Sequence, residues 1–356
     1  MTPISYKKEL TALSKKNRLR KRVLFDDSVI DLASNDYLGL AENKEILRKA
    51  YEKAITYKSH AAKASCVVNG YHEAHFLLEE KLKKLNNFEE ALVVGSGFLA
   101  NLALFELGRK GDLFLVDEEY HASGLIGAKL TNAQVSFFKH NSLEDLQKKA
   151  KSYTKYNRVF VVTEGVFSMR GDILKREIAH FAHEIGMLII DEAHSVGVLG
   201  DNLNGITEEY RLNPKKTIKM GTLGKALGSY GAYILANEEI IEFLINRAKS
   251  VIYTTALSVM DSLIAYFAFE EIEKNLIYYK QKIKERMRIL KSPSLIKTLN
   301  AKNIDVLMQK QQLLLDNNIL IGAIRPPTVK TPIFRIIGRI NVESDIILNT
   351  INFLKD

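Results

Sequence analysis

The sequence predicts an α/β protein: a large domain on a mostly parallel, seven-stranded sheet, followed by a smaller C-terminal α/β domain. The first observation is a series of short apolar runs at 91–94, 113–116, 135–138, 159–163, 187–191, 217–220 and 231–235. Runs of about 4–6 residues bounded by Gly, Asp or Ser suit strands buried on both faces. The second is that helical stretches alternate with these runs, the pattern of parallel sheets with helical crossovers.

In chain order, residues 1–30 read as a basic helix followed by a turn. Residues 45–85 read as helical, ending in the periodic Leu77-Leu78-Glu79-Glu80-Lys81-Leu82. The seven apolar runs follow. After 236 the chain turns helical to about 290. It ends in a small unit with expected strands at 321–329 and 333–340. The expected division is an N-terminal segment at 1–45, a large domain at 46–250 and a small domain at 251–356.

The 356 residues suit one large domain plus a smaller one. With 46% hydrophobic and 26% charged residues, the chain can bury a sizeable core. Lys and Arg total 51 against 42 Asp and Glu, a formal charge of +9. The densest basic cluster is Lys15, Lys16, Arg18, Arg20, Lys21 and Arg22. It reads either as a solvated helix face or as a rim for an acidic substrate or carrier. No RNA-binding or zinc-finger signature accompanies it, so nucleic acid is not an expected partner. Cys66 is the only cysteine, which excludes internal disulfides and cysteine-rich metal sites. His72/His75 and His180/His183 match neither metalloprotease pattern, and no metal is expected. No stretch approaches the ~20 apolar residues of a membrane span, and the N-terminus lacks a leader pattern. A cytoplasmic location without membrane association is expected.

In open α/β sheets, ligands bind beyond the carboxyl ends of the strands. The polar residues there are Ser96-Gly97-Phe98, Asp117, Glu164, Asp191-Glu192-Ala193-His194 and Thr222. Gly95-Ser96-Gly97-Phe98 opens a helical stretch. It reads as a tight strand-to-helix turn or as a phosphate cradle at a helix N-terminus. Asp191-Glu192-Ala193-His194 has the letters of an ATPase box, but no GxxxxGK[ST] loop lies upstream. A helix cap and a carboxylate facing a protonated heterocycle remain. Thr222-Leu223-Gly224-Lys225-Ala226-Leu227-Gly228 places a lysine among glycines. Such a lysine is a turn residue or an amine nucleophile of lowered pKa. The order of the three elements decides: glycine turn, strand-end aspartate, one further strand, then lysine. That order resembles fold-type-I pyridoxal 5′-phosphate (PLP) enzymes. In them an aspartate keeps the pyridine nitrogen protonated, so that the ring accepts electrons.

The resemblance extends along nearly the whole chain to the α-oxoamine synthase family. It rests on Ser34-Asn35-Asp36-Tyr37-Leu38-Gly39-Leu40, 95–101, His121-Ala122-Ser123, Thr163-Glu164-Gly165-Val166-Phe167-Ser168-Met169, 191–194, 222–228 and Tyr253-Thr254-Thr255. The resemblance implies PLP as cofactor, bonded by Lys225, with Asp191 on the pyridine nitrogen and His121 stacked on the ring. It implies Ser96, Gly97, Phe98 and Thr222 around the phosphate, with Thr254 and Thr255 reaching it from the partner of a homodimer. Ser168 and His194 would meet the ring-hydroxyl edge, and Asn35 and Arg335 the substrate carboxylate. Arg20 and Thr328 would meet the acyl substrate. Ala323-Ile324-Arg325-Pro326-Pro327-Thr328-Val329 resembles most the members that condense L-alanine with pimeloyl-CoA or pimeloyl-acyl carrier protein in biotin synthesis, releasing CO2 and free thiol. Glycine-using members (2-amino-3-ketobutyrate CoA ligase or aminolevulinate synthase type) and a non-catalytic PLP-binding protein are the alternatives. Two departures stand out. The segment His60-Ala61-Ala62-Lys63-Ala64-Ser65-Cys66 has alanines where the family often has glycines, which removes positive-φ freedom. Residues 290–315 match poorly.

Overall fold

The computed structural model describes residues 4–355; residues 1–3 and 356 lie outside them. The chain forms two sheets. The large one comprises β2 (Glu90–Val94), β3 (Leu113–Asp117), β4 (Gln134–Phe138), β5 (Val159–Glu164), β6 (Met187–Asp191), β7 (Thr217–Thr222) and β8 (Ala232–Ala236). The small one comprises β1 (Ile30–Leu32), β9 (Ile296–Asn300), β10 (Ile319–Ile324) and β11 (Ile333–Ile337). The seven-stranded order is β2-β8-β7-β6-β5-β3-β4, parallel except at β8, which runs antiparallel to both neighbours.

The central strands are apolar throughout because both sheet faces are covered. Phe160, Val162 and Ile189 point into one core, with Phe105, Phe114 and Leu244. Val161, Leu188 and Ile190 point into the other, with Leu146, Ile178 and Ala182. This is the period-2 alternation of a strand with two dry sides. In the first core the rings of Phe105, Phe114 and Phe160 stack in series, with centroids 4.9 and 4.8 Å apart.

The helical expectation over 45–85 is only partly met. Helices Lys44–Ala54 and Glu73–Asn86 flank an irregular stretch closed by the π-type turn Cys66–Gly70. Ser59 and Ser65 explain the break, because their hydroxyls bond nearby backbone groups and compete with the helix. In the variant 60–66 loop no alanine has positive φ; Lys63 does, at 69°.

The small sheet differs more from expectation. The strand expected over 321–329 stops at Ile324, since Pro326 and Pro327 offer no N–H to a ladder. The one expected over 333–340 stops at Ile337, where its pairing with β9 ends. Neither β1 nor β9 was expected, being short or half-polar. β1 runs parallel to β10, with Ile30 opposite Ile319, so the N-terminal segment is stitched into the C-terminal sheet. Arg339 fixes that segment through Asp31 (3.2 Å), Asp36 (3.0 Å) and Glu42 (2.6 Å).

Candidate active site

The parallel register sets the carboxyl ends of β5, β6 and β7 side by side. Glu164 lies opposite Asp191, and Asp191 opposite Met220. Asp191 is buried, as strand-end carboxylates can be when hydrogen-bonded. Its Oδ1 accepts from the Ala193 N–H (2.9 Å) and its Oδ2 from the Asn101 amide (3.1 Å). The same Asn101 nitrogen donates to Ser123 Oγ (3.0 Å), which bonds His121 Nδ1 (2.7 Å). Asn101 uses both N–H groups here, so the Ser123 hydroxyl donates to His121. The remaining imidazole proton therefore sits on Nε2. His121 caps the helix Ala122–Leu130 and is exposed.

Lys225 follows β7. Its Nζ lies 2.9 Å from His194 Nε2, and His194 Nδ1 lies 2.5 Å from the Tyr37 hydroxyl. Burial lowers the Lys225 pKa to about 8, opposed by the negative charges of Asp191 and Glu164. Burial and the nearby Lys225 hold His194 well below its usual value, so its ring is neutral. A neutral imidazole that accepts from lysine at Nε2 donates from Nδ1 to Tyr37. Tyr37 then reaches Asn35 Oδ1 at 3.5 Å. Asn35 Oδ1 also accepts from Arg335 Nη2 at 2.9 Å. Arg335 Nε donates to the Ser168 carbonyl at 2.8 Å. One polar chain thus links Lys225, His194, Tyr37, Asn35, Arg335 and Ser168.

Glu164 lies beside that chain. Its Oε2 accepts from the Ser168 N–H (3.1 Å), while its buried Oε1 has no partner. Burial, reinforced by Asp191, pushes its carboxyl well above the usual range.

At the other end, Ser96 caps the helix Gly97–Phe105, accepting from Leu99 N–H at 3.3 Å. The helix N-terminus and its free N–H groups suit a phosphate. A Cβ on Gly97 would sit 2.8 Å from Thr222 Cγ2, so only glycine leaves this cradle open. The buried Thr222 hydroxyl has no partner among the described residues. Phe98 follows, half exposed. A phosphate acceptor, a buried amine and a strand-end carboxylate together fit PLP.

Some expected residues stand apart. Arg20 and Thr328 meet each other, at 3.3 Å, as a pair separate from the Lys225 chain. Thr254 bonds back to the Ser250 carbonyl (2.9 Å), and neither it nor Thr255 hydrogen-bonds the phosphate cradle within this chain. Of the histidine pairs, His72 and His75 form a capping box. His183 bonds Thr217 Oγ1 at 2.9 Å. Sequence reasoning missed Tyr37 and Asn101 as members of the site and left Glu164 without a role. The signals were there: Tyr37 lies in the segment with Asn35, and Glu164 ends a buried strand.

Gly228 terminates the lysine loop at φ +60°, and a Cβ there would lie 2.3 Å from the backbone nitrogen of Ala41. Gly228→Ala is expected to lower stability by more than about 2 kcal/mol, from left-handed strain plus this clash. Urea unfolding checks it; a change under about 0.5 kcal/mol would refute the argument.

Residues 27–345 match the aminotransferase class I and II family. The chain belongs to that family, and its architecture is fold type I. Its relatives include the 8-amino-7-oxononanoate synthase of Helicobacter pylori J99, 44% identical over 93% of this chain and 91% of the relative. The crystal structure of 8-amino-7-oxononanoate synthase from Francisella tularensis superposes with a TM-score of 0.77 at 30% identity. It covers 92% of this chain and 97% of that one. A lysine-to-alanine variant of a serine palmitoyltransferase from S. paucimobilis, solved with a bound PLP–myriocin aldimine, shares the fold at 24% identity. Its TM-score is 0.86, over 92% of this chain and 86% of that one.

Proposed function

We propose that this chain is a PLP-dependent acyltransferase of biotin synthesis. It would condense L-alanine with a pimeloyl thioester to give 8-amino-7-oxononanoate, CO2 and free thiol. The observation that carries the reading is one polar chain joining a buried amine, Lys225, to the hydrogen-bonded pair Asn35 and Arg335, which would suit a substrate carboxylate. The synthase relatives supply the substrates.

PLP, when bound, takes up the electron pair left on the amino-acid Cα, first by loss of a proton and later by loss of CO2. Lys225 would bond the cofactor and, once displaced by alanine, remove the Cα proton as general base. Asp191 would face the pyridine nitrogen and keep it protonated. His121 would cover the ring, with Nε2–H free to hydrogen-bond the acyl carbonyl. Ser168 and His194 would bind the ring-hydroxyl edge. Ser96, Gly97, Phe98 and Thr222 would hold the phosphate. Asn35 and Arg335 would hold the alanine carboxylate.

The acyl donor would approach past Arg20 and Thr328. The basic residues at 15–22 suit either coenzyme A or acyl carrier protein, both acidic, and would act mainly on the encounter rate. A homodimer would bring Thr254 and Thr255 of one copy to the phosphate of the other. The neighbouring Tyr253, 79% exposed, is a large aromatic surface for a second copy to cover. No helix among the described residues is long and apolar enough to cross a membrane.

The test is a product assay with purified protein and PLP. Alanine with pimeloyl-CoA, and alanine with pimeloyl-acyl carrier protein, are run beside glycine arms. The expected result is 8-amino-7-oxononanoate and one CO2 per turnover with alanine. Turnover only with glycine, or none with any donor, would overturn the reading.

A further inference from the structure

The segment 166–173 is the joint between the two sheets. It is a tight reversal, with Val166 bridged to Ile173, Phe167 N–H bonded to the Asp172 carbonyl (3.0 Å) and Gly171 N–H to the Phe167 carbonyl (2.8 Å). The small-domain side grips it three times. Ser294 Oγ donates to the Gly171 carbonyl (2.6 Å), Thr298 Oγ1 to the Arg170 carbonyl (3.4 Å), and Arg335 Nε to the Ser168 carbonyl (2.8 Å). Arg335 therefore takes its orientation partly from where this segment lies.

His140, just beyond β4, ties the segment to the large sheet. Its Nδ1 lies 3.1 Å from Asp117 Oδ1 at the end of β3, and its Nε2 lies 2.8 Å from Asp172 Oδ2. The ring meets Phe167 edge-on, with centroids 4.3 Å apart. Carboxylates only accept, so both ring nitrogens must donate, and this geometry demands the imidazolium. The two carboxylates push its pKa up to about 9, against the opposing effect of burial. The other charged groups around it are Glu118, which accepts from the His140 N–H (3.3 Å), and Arg170, which pairs with Glu119 (2.9 Å) and lies 3.9 Å from Asp172. Nothing in the proposed chemistry uses His140.

We propose that His140 is a positioning residue for the amino-acid substrate: clamped between Asp117 and Asp172, it holds the 166–173 segment so that Arg335 meets the alanine carboxylate. The inference rests on the reading of Arg335 given above. It makes His140 a determinant of alanine capture, with no contact to alanine, cofactor or acyl donor.

The experiment compares His140→Phe, Asp172→Asn and Arg335→Lys in the holoenzyme. His140→Phe keeps a ring against Phe167 but loses both N–H groups. Asp172→Asn, at a half-exposed carboxylate, decides the matter if His140→Phe does not fold. Alanine KM, kcat, and the alanine Kd from the change in cofactor absorbance are read for each. The expected result for His140→Phe is an alanine KM and Kd raised about tenfold, with kcat within about threefold and the resting cofactor spectrum unchanged. Asp172→Asn moves the same way by less. In wild type, alanine affinity also falls as pH rises through about 9, by a component missing from His140→Phe. If Arg335→Lys raises KM while both other variants keep alanine KM and Kd within twofold of wild type, the inference fails. If Arg335→Lys is itself silent, its premise fails with it. A fall in kcat with KM unmoved would assign His140 to stability alone and also overturn it.

Discussion

Lys225→Ala is expected to abolish condensation, lowering kcat/KM by at least about 10⁴-fold, since the substitution removes both the proposed covalent attachment and the proposed base. The environment explains why this lysine is suited to the task. With its pKa lowered to about 8, roughly a tenth of Lys225 is neutral at pH 7, against about one in three thousand for an ordinary lysine. Its contact with His194, at 2.9 Å, aims the amine without neutralising it. The check is twofold: product formation, and borohydride treatment followed by peptide mass analysis. Wild type is expected to carry the reduced cofactor on the Lys225 peptide, and the variant to carry none anywhere. Residual activity above about 1%, or labelling of another lysine, would refute the assignment. The Thr222 and Gly97 cradle is untouched, so the variant is expected still to take up PLP reversibly.

The second large effect concerns stability. Glu192 and Lys219 are both fully buried, with Nζ 3.8 Å from Oε1. Glu192 organises the turn after β6: its carboxylate accepts from Ile206 N–H (2.6 Å), Thr207 N–H (2.7 Å) and the Ser195 hydroxyl. Lys219 donates to Asn86 Oδ1 (2.7 Å), Thr207 Oγ1 (3.1 Å) and the Asn204 carbonyl. Glu192→Ala orphans two buried N–H groups and leaves a buried cation, a loss of about 3–5 kcal/mol. Lys219→Met is expected to cost less, because the carboxylate keeps its three donors. Urea midpoints of the holo-protein measure both. Equal losses, or under about 1 kcal/mol for Glu192→Ala, would contradict this account.

Much of this was legible in the sequence, for a physical reason. Strands buried on both faces need uninterrupted apolar runs, so the seven strands of the large sheet announce themselves. Residues at their carboxyl ends are then fixed by topology, and Asp191, Thr222 and Lys225 fall out together. The small sheet was harder. Its β9, Ile-Lys-Thr-Leu-Asn, alternates weakly, and β1 is three residues long, so neither carries a hydrophobic signature. Tyr37 and Asn101 were missed because each looks like an ordinary residue of its segment until the fold sets it against His194 or Asp191. The roles proposed for Thr254 and Thr255 depend on a second copy, which one chain's pattern cannot place.

The pairing of β1 with β10 has a consequence for how the chain comes to be folded. Every strand of the large sheet is made before residue 237, so that sheet can assemble while synthesis continues. The strand Ile30–Leu32 has no partner until residues 319–321 emerge, when it must close a loop spanning most of the chain. Closures of such high contact order come late and slowly. Since Asn35 and Arg335 meet across this closure, a nascent or C-terminally truncated chain would hold its lysine in place and still have no grip on an amino acid. The proposed capture site is completed only after residues 319–337 have emerged and paired.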